Sequence, residues 1–426
     1  MVHSDCQGGL QLPFLIVMSS FNFYWRTTRK LLKGENSGFS RPIVRLSVAG
    51  VALGIVVMLV AIAVTTGYKQ VIRDKVVALG SHIRISNYDM NYSFEPVPFD
   101  KNRPFVEEIK ALPEVRSLQC YSTKSGVVKT DDQVEGIVLK GIDQSFDKAH
   151  FQKNLIEGEL LSLEDTVPSK EMIISSTLSK RLKLSVGDKV RTYFVQDPPM
   201  QRNFTVTGIY ETGLPEYDSQ IALVDLRQIQ KLNQWDSSMV GGMEVLLNDF
   251  DQVDAVSEKV NRKVGYDLKA ESIKEVFPEI FQWIALFDTN VVVLLIITFL
   301  VCMITMMSAF FIIVIEQTPT IGLLKTMGMK TKSVVVLFLM IASDILLRGL
   351  LWGNVVALAL CLFQRQFHWV RLDAATYYVS YVPVEFNIPL ILAVNIAVLV
   401  LCMAILILPA YLIARKSSPL AAIKFD

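Results

Sequence analysis

Histidine, cysteine and charged residues are scarce in this chain, and each shortage excludes a class of function. Only four histidines occur, and none has the H-E-x-x-H or C-x-x-C neighbours of a zinc site, so no metal site is predicted. The absence of a G-x-S-x-G elbow leaves a hydrolase without its nucleophile. Gly322-Leu-Leu-Lys-Thr lacks the glycine loop that cradles phosphates. We therefore expect a non-catalytic chain that holds no cofactor of its own.

The five cysteines and the weak net charge limit the chemistry further. Cys302, Cys361 and Cys402 lie in long apolar runs, where a thiol behaves as a small buried hydrophobe. Cys120 is the only cysteine between residues 67 and 288, so that region cannot close an internal disulfide. The net charge is +1 and no basic block is interleaved with aromatic residues, so we expect no nucleic-acid partner.

Apolar sequence is what the chain has in excess. With 51% hydrophobic residues and a mean hydropathy of +0.39, it is too apolar for a soluble protein and too polar to lie wholly in a membrane. Four stretches reach the roughly 20 apolar residues of a membrane-spanning helix, namely 43–66, 289–315, 334–362 and 390–413. Gly50 and Gly54 form a stripe of small residues on the first span, which either allows close helix contact or faces lipid.

Lysine and arginine crowd three of the flanking segments, which the positive-inside rule assigns to the cytoplasm. These are the amino-terminal segment 1–42, the loop 316–333 and the tail 414–426. Residues 21–33 are typical of an amphipathic basic helix at a membrane surface, and Met18 is a more plausible start than Met1. Segment 67–288 and loop 363–389 are then expected to face outward.

The outward segment 67–288 alternates strand and helix patterns. Period-two alternation predicts strands at 81–86 and 243–247, and amphipathic spacing predicts helices at 103–112 and 251–264. Residues 115–129 are typical of one strand or a pair of strands. Short strands separated by glycine and proline fill the middle of the segment. We predict a split α+β part, 67–153 and 236–280, with an inserted β-rich subdomain at 154–235.

The second span is longer than a bilayer requires, and a loop rich in signals follows it. Residues 281–315 stay apolar, so the outer turns are expected to project as a stalk. In the loop, Pro319 suits the first turn of a short helix and Gly328 suits its end. An apolar face would let this helix lie along the membrane, either as a connector resting on lipid or as a docking element.

This loop resembles the coupling helix of the type VII ABC permeases, the group that contains lipoprotein-releasing permeases, macrolide-exporter permeases and the FtsX division protein. The resemblance implies a MacB/FtsX-like architecture, with four transmembrane helices and a large α+β periplasmic domain between the first two. It also implies contact with a separate ATPase through residues of the loop: Glu316, Pro319, Thr320, Ile321, Gly322, Leu323, Leu324, Lys325, Met327 and Gly328.

Three further motifs resemble the LolC/LolE family of lipoprotein-releasing permeases. They are Arg41-Pro-Ile-Val-Arg-Leu-Ser-Val-Ala-Gly in the first span, Ile407-Leu-Pro-Ala-Tyr-Leu-Ile-Ala-Arg-Lys at the carboxy end, and Gln201-Arg-Asn-Phe-Thr-Val-Thr-Gly. The last is similar to the strand that follows the hook by which such permeases hold a periplasmic carrier. The segment leading into it is shorter than such a hook, so it forms either a small carrier-binding protrusion or an ordinary hairpin turn. Its candidate residues are Pro198, Pro199, Met200, Gln201 and Arg202.

The resemblance implies a permease subunit of the bacterial inner membrane, driven by an ATPase dimer that binds ATP and magnesium. It would pair with a second copy or a paralogue, extract lipoproteins from the outer leaflet, and deliver them to a periplasmic carrier and the outer membrane. The alternatives are a MacB-like exporter of peptides or macrolides and an FtsX-like regulator of a cell-wall hydrolase.

Two sets of residues within the spans complete the predictions. Asp344 and Arg348 stand four apart on one helical face, as either a structural ion pair or a transport element. Aliphatic side chains of the first span either line the substrate entrance or face lipid: Val48, Val51, Ile55 and Leu59.

Overall fold

The computed structural model describes residues 40–79, 81–88, 94–130, 133–163 and 167–416. The predicted surface helix at 21–33 and the tail beyond residue 416 lie outside these ranges. The described residues divide into a helical unit (residues up to 68, 286–370 and from 382) and an α+β unit (69–285 and 371–381).

Helices and strands alternate through the described part of the chain as follows. The helices are α1 (Ser40–Leu79), α2 (Phe105–Lys110), α3 (Lys148–Phe151), α4 (Ser176–Leu182), α5 (Pro215–Asp218), α6 (Leu226–Leu232), α7 (Val253–Asn261), α8 (Ile273–Val276), α9 (Pro278–Glu316), α10 (Thr318–Thr326), α11 (Thr331–Phe367), α12 (Ala374–Tyr377) and α13 (Ile388–Lys416). The strands are β1 (Ile83–Asn87), β2 (Phe99–Asp100), β3 (Val115–Lys129), β4 (Val134–Ile142), β5 (Leu155–Gly158), β6 (Glu171–Ser175), β7 (Lys189–Phe194), β8 (Met200–Tyr210), β9 (Ile221–Asp225), β10 (Met239–Val240), β11 (Gly242–Leu247) and β12 (Leu268–Ser272).

Four helices in the described residues are long and apolar enough to cross a membrane: α1, α9, α11 and α13. Each contains one of the predicted spans and extends beyond it at both ends. The reason is that apolar composition marks only the stretch that must match hydrocarbon, while backbone hydrogen bonding carries a helix on into polar sequence. The predicted four-helix membrane fold is thus confirmed, and its helices are longer than their apolar stretches.

Glycines bring α1 close to two other helices. A Cβ atom on Gly54 of α1 would lie 2.0 Å from Sγ of Cys302 in α9, and one on Gly353 of α11 would lie 2.7 Å from Cβ of Ile55. Without side chains at these points the backbones approach closely, and van der Waals packing replaces the hydrophobic drive that lipid cannot supply. The stripe of Gly50 and Gly54 therefore makes helix contact and does not face lipid.

Polar side chains join α11 to α13. The amide of Asn354 donates to Oδ1 of Asn395 at 2.7 Å, and Asn395 donates back to Oδ1 of Asn354 at 3.1 Å. Each amide also donates to the backbone carbonyl four residues before it. Satisfied amides of this kind can hold two membrane helices in one register.

The α+β unit is built on the long strand β3, which belongs to two arrangements. Its first half pairs with β11 in an open sheet of order β12-β1-β11-β3, and its second half pairs with β4. From β4 the pairing continues through β9, β6, β8 and β7, and β7 returns to β3, which closes a ring of strands. The ring encloses an apolar core that includes Leu139, Met172, Phe204 and Val206.

This pairing differs from the predicted division of segment 67–288. Strands from the expected split part (β3, β4) and from the expected insertion (β6 to β9) form the ring together, so residues 153 and 235 do not separate two sheets. The 115–129 segment is a single strand of 15 residues. Local alternation identifies strands but does not specify their partners, because pairing joins residues distant in sequence.

Candidate functional site

The loop between α9 and α11 folds into the short helix α10. Pro319 occupies its first turn, where the missing N–H costs nothing. At the other end Gly328 has a positive φ of 92°, and its N–H donates to the carbonyl of Lys325 at 3.0 Å while Met329 N–H donates to that of Leu324 at 3.0 Å. These two bonds form a Schellman motif, which ends the helix at a defined residue.

Two apolar side chains at the end of the loop helix are largely exposed, Leu323 of α10 and Met327 in the residue that caps it. Leu323 is 62% exposed and Met327 is 78% exposed, and they stand four residues apart on one face. Leu324 is half-buried and Gly322 is buried. We call Leu323 and Met327 the apolar edge; two adjacent apolar side chains in this position form a surface that a partner protein could cover. The side chain of Ile321 is outside the described residues.

Three other residues of the predicted contact set, Glu316, Pro319 and Thr320, lie at or just before the start of α10. Thr320 donates to the amide oxygen of Gln317 at 3.1 Å, and Pro319 is exposed. One carboxylate oxygen of Glu316 is buried and accepts no hydrogen bond from the residues that the structure describes. A buried acceptor without a donor is costly.

The predicted carrier-binding residues lie at the hairpin between β7 and β8. The connecting loop comprises residues 195–199, in which Pro198 and Pro199 are exposed. Gln201 and Arg202 belong to the strand and pair with Tyr193 and Thr192, and Met200 pairs with Phe194. The segment thus forms a short hairpin end, and of the five candidate residues only Pro198 and Pro199 lie outside the paired strands. Carrier binding at this position stays a prediction.

The four aliphatic residues proposed to line an entrance face the inside of the helical unit. Val51, Ile55 and Leu59 are buried in its core, and Val48 is partly buried against it. Leu46 and Leu53 of the same helix are exposed, and they lie on a different face of it. In the described chain this apolar face packs against glycines of α11, and a substrate entrance at these four residues stays a prediction.

The intramembrane charges pair with each other. Nη2 of Arg348 lies 2.7 Å from Oδ2 of Asp344, and the Asp344 side chain is 9% exposed while that of Arg348 is 50% exposed. An i,i+4 pair of this kind keeps a carboxylate from being buried alone. Among the described residues no group of three or more histidine, cysteine, aspartate or glutamate side chains is arranged to hold a metal ion.

Family models match both units of the chain. Residues 46–263 match the MacB-like periplasmic core domain, and residues 292–418 match the FtsX-like permease C-terminal domain. The first match covers about half of the chain by itself.

Curated relatives are similar over almost their whole length. Lipoprotein-releasing system transmembrane protein LolC of Xylella fastidiosa is 23% identical over 417 residues, covering 93% of this chain and 97% of the relative. LolC of Neisseria meningitidis is 21% identical, with 94% and 99% coverage, and LolE of Haemophilus influenzae is 20% identical, with 86% and 91% coverage.

Among solved structures, the periplasmic region of MacB from Actinobacillus actinomycetemcomitans covers 48% of this chain and 95% of its own, at 13% identity and a TM-score of 0.34.

Proposed function

We propose that this chain, which belongs to the type VII ABC permeases with a MacB-like periplasmic core domain and an FtsX-like permease domain, is the membrane subunit of a lipoprotein-releasing transporter. The permease class follows from the family. The lipoprotein substrate is proposed because LolC and LolE proteins are similar to this chain over most of both lengths.

The apolar edge of α10 is the observation that supports an external energy source. A partner that covers Leu323 and Met327 removes apolar area from water. We propose that this partner is an ATPase dimer, with ATP and magnesium bound in the partner. The loop then lies on the cytoplasmic side, and the α+β unit lies in the periplasm of a bacterium.

The helix α9 is the element proposed to carry force. It runs from Pro278 to Glu316 without a break, a length of about 58 Å at 1.5 Å per residue, and α10 follows it directly. No break occurs near Asp288, where an interruption would have been incompatible with a rigid stalk. Sharp kinks in a helix need a cause such as an internal proline, and α9 runs unbroken with none, so movement imposed on α10 is expected to reach its other end.

Lipoproteins suit a transporter of this kind because their acyl chains cannot leave a membrane unaided. Each CH₂ group exposed to water costs about 0.8 kcal/mol, so three acyl chains require coupling to ATP hydrolysis and a hydrophobic acceptor. A second copy or a paralogous permease is proposed to complete the membrane complex, and the short 195–199 hairpin is the proposed contact for the carrier.

The experiment is reconstitution of the chain with its ATPase and paired permease in liposomes carrying a triacylated lipoprotein. We expect ATP-dependent transfer of the lipoprotein to a soluble carrier. The matched control is the same protein without its acyl chains, which should neither be transferred nor stimulate ATP hydrolysis. An active ATPase complex that transfers no lipoprotein would contradict this function. If the complex purified from cells also retains a cell-wall hydrolase, the regulatory function of the FtsX kind is favoured instead.

A further inference from the structure

The last turns of α1 and the first turns of α9 belong to the α+β unit. Each carries two side chains that stand two residues apart, Arg73 and Lys75 on α1, and Phe281 and Trp283 on α9. Positions two residues apart on a helix differ by about 200°, so the members of each pair lie on nearly opposite faces. On each of these two sides, one residue from another segment contacts both helices.

Tyr378 joins the two helices on the first side. It belongs to the tip, residues 371–381, of the loop between α11 and α13. Nζ of Lys75 donates to the backbone carbonyl of Tyr378 at 2.6 Å, and the Tyr378 ring packs edge-on against Trp283 with the ring centroids 6.4 Å apart. Tyr378 has a positive φ of 59°, which is costly for a residue other than glycine unless its contacts hold it. Lys75 and Trp283 supply two such contacts.

A fixed turn on its other side holds the Lys75 side chain in place. The ammonium lies so close to Gly213 that a Cβ atom there would overlap Nζ. The turn is held by Asp218, whose carboxylate accepts from the N–H of Gly213 at 2.9 Å and from the hydroxyl of Thr212 at 2.8 Å. The negative charges of Asp218 and Glu211 also act on the Lys75 ammonium. Lys75 is thus placed between a hydrogen-bonded turn and the loop tip.

Phe250 joins the two helices on the second side. The guanidinium carbon of Arg73 lies 4.6 Å from the centre of the Phe250 ring, and Nη1 of Arg73 lies 3.0 Å from Oδ1 of Asp251. Phe281 stacks on Phe250 with the ring centroids 5.9 Å apart. A cation over an aromatic face and a pair of packed rings are both attractive contacts. Each side therefore has a cation of α1, an aromatic residue of another segment and an aromatic ring of α9.

We propose that these contacts form a collar that fixes the spacing between α1 and α9, and that Lys75 and Tyr378 are positioning residues for transport. The collar comprises Arg73, Lys75, Phe250, Phe281, Trp283 and Tyr378. This inference rests on the proposed function, in which α9 carries force. When both sides are closed, the first turns of α9 move together with the last turns of α1. When the sides open, part of the movement of α9 is lost as a change of spacing. The loop between α11 and α13 thus takes part in transport through its tip.

The spacing can be measured by electron paramagnetic resonance on the full chain in nanodiscs. Spin labels attached to p-acetylphenylalanine in place of the exposed Gln70 and Glu279 spare the native cysteines. We expect one narrow distance distribution for the otherwise unchanged chain. Lys75→Met with Arg73→Met removes a hydrogen bond from a charged donor and a cation–π contact, so open spacings should gain about tenfold or more in population and broaden the distribution.

A second readout separates positioning from general structural support. In the complete reconstituted complex, the number of ATP molecules hydrolysed per lipoprotein transferred should rise about threefold or more in the same double variant, because the closed state is less populated. Association with the ATPase should not change, because α10 is unaltered. Lys259→Met with Arg262→Met is the matched control, since these cations of α7 pair with Glu114 and Glu258 and not with α1 or α9. It should change neither the spacing nor the ratio.

If the α1 variant fails to fold, the collar is opened from α9. Phe281→Leu with Trp283→Leu removes both rings at half-buried positions and should give the same broadening and the same rise. An unchanged distance distribution in a folded variant would overturn the proposal, and so would a broadened distribution with an unchanged ratio. The two proposals fail in different ways: an unchanged complex that transfers no lipoprotein refutes lipoprotein release, whereas the distance measurement needs neither an ATPase nor a lipoprotein.

Discussion

The apolar edge of α10 makes a quantitative prediction about association with an ATPase. We consider the double variant Leu323→Ser with Met327→Ser. Full burial of a leucine or methionine side chain contributes about 2 kcal/mol, and 62% and 78% of these side chains are still exposed. Covering both would then contribute about 3 kcal/mol, and serine removes nearly all of it. We expect association to weaken about 100-fold for each copy of the chain.

The same exposure means that the variant itself should fold normally. Exposed side chains contribute little to stability, so a change within about 0.5 kcal/mol is expected. Leu324→Asp is a poorer test, because Leu324 is half-buried and a charge there disturbs the chain itself.

The assay is titration of the ATPase against the chain in nanodiscs, read as binding and as stimulated ATP hydrolysis. Val134→Ser with Val167→Ser is the matched control, since these residues are 62% and 71% exposed but lie in the α+β unit. It should bind as the unchanged chain does. An edge variant that binds within threefold of the unchanged chain would refute the assignment of α10 as the coupling element.

Three further predictions concern packing, pH and the ion pair. Gly353→Ala places a Cβ 2.7 Å from a side-chain carbon of α1 and should cost about 1–3 kcal/mol of stability, seen as a lower melting temperature; Gly136→Ala, whose Cβ meets nothing within 4 Å, should not. Burial lowers the pKa of His82 from 6.5 to about 4, so the unfolded chain binds a proton that the folded chain rejects between these values. Stability should therefore fall by up to about 3 kcal/mol as the pH drops through that window, and melting of His82→Gln should depend less on pH; equal slopes would contradict this. Arg348→Met strands the Asp344 carboxylate and should lower the melting temperature, while Asp344→Leu with Arg348→Met should restore it. A fully stable Arg348→Met that no longer transports would show that the pair has a transport function.

Local features of this protein follow from local sequence. Pro319 and Gly328 predict where the short helix of the loop begins and ends. The structure has the helix begin and end beside these two residues, because capping depends on the residues next to a helix end. The spans are predictable for a similar reason, since hydrocarbon requires a run of apolar residues whatever surrounds it. The paired Asn354 and Asn395 were missed, because an asparagine in an apolar run gives no sign of its partner on another helix.

Tertiary structure decided which side of each element is used and which distant residues meet. The sequence by itself determined four membrane helices, an α+β segment after the first, and a short helix between the second and third. Only the folded chain turned Val51 and Ile55 inward against glycines and left Leu323 and Met327 exposed. Periodicity indicates that one face of an element is apolar or polar. Which other element packs against that face is decided by contacts between residues far apart in the chain.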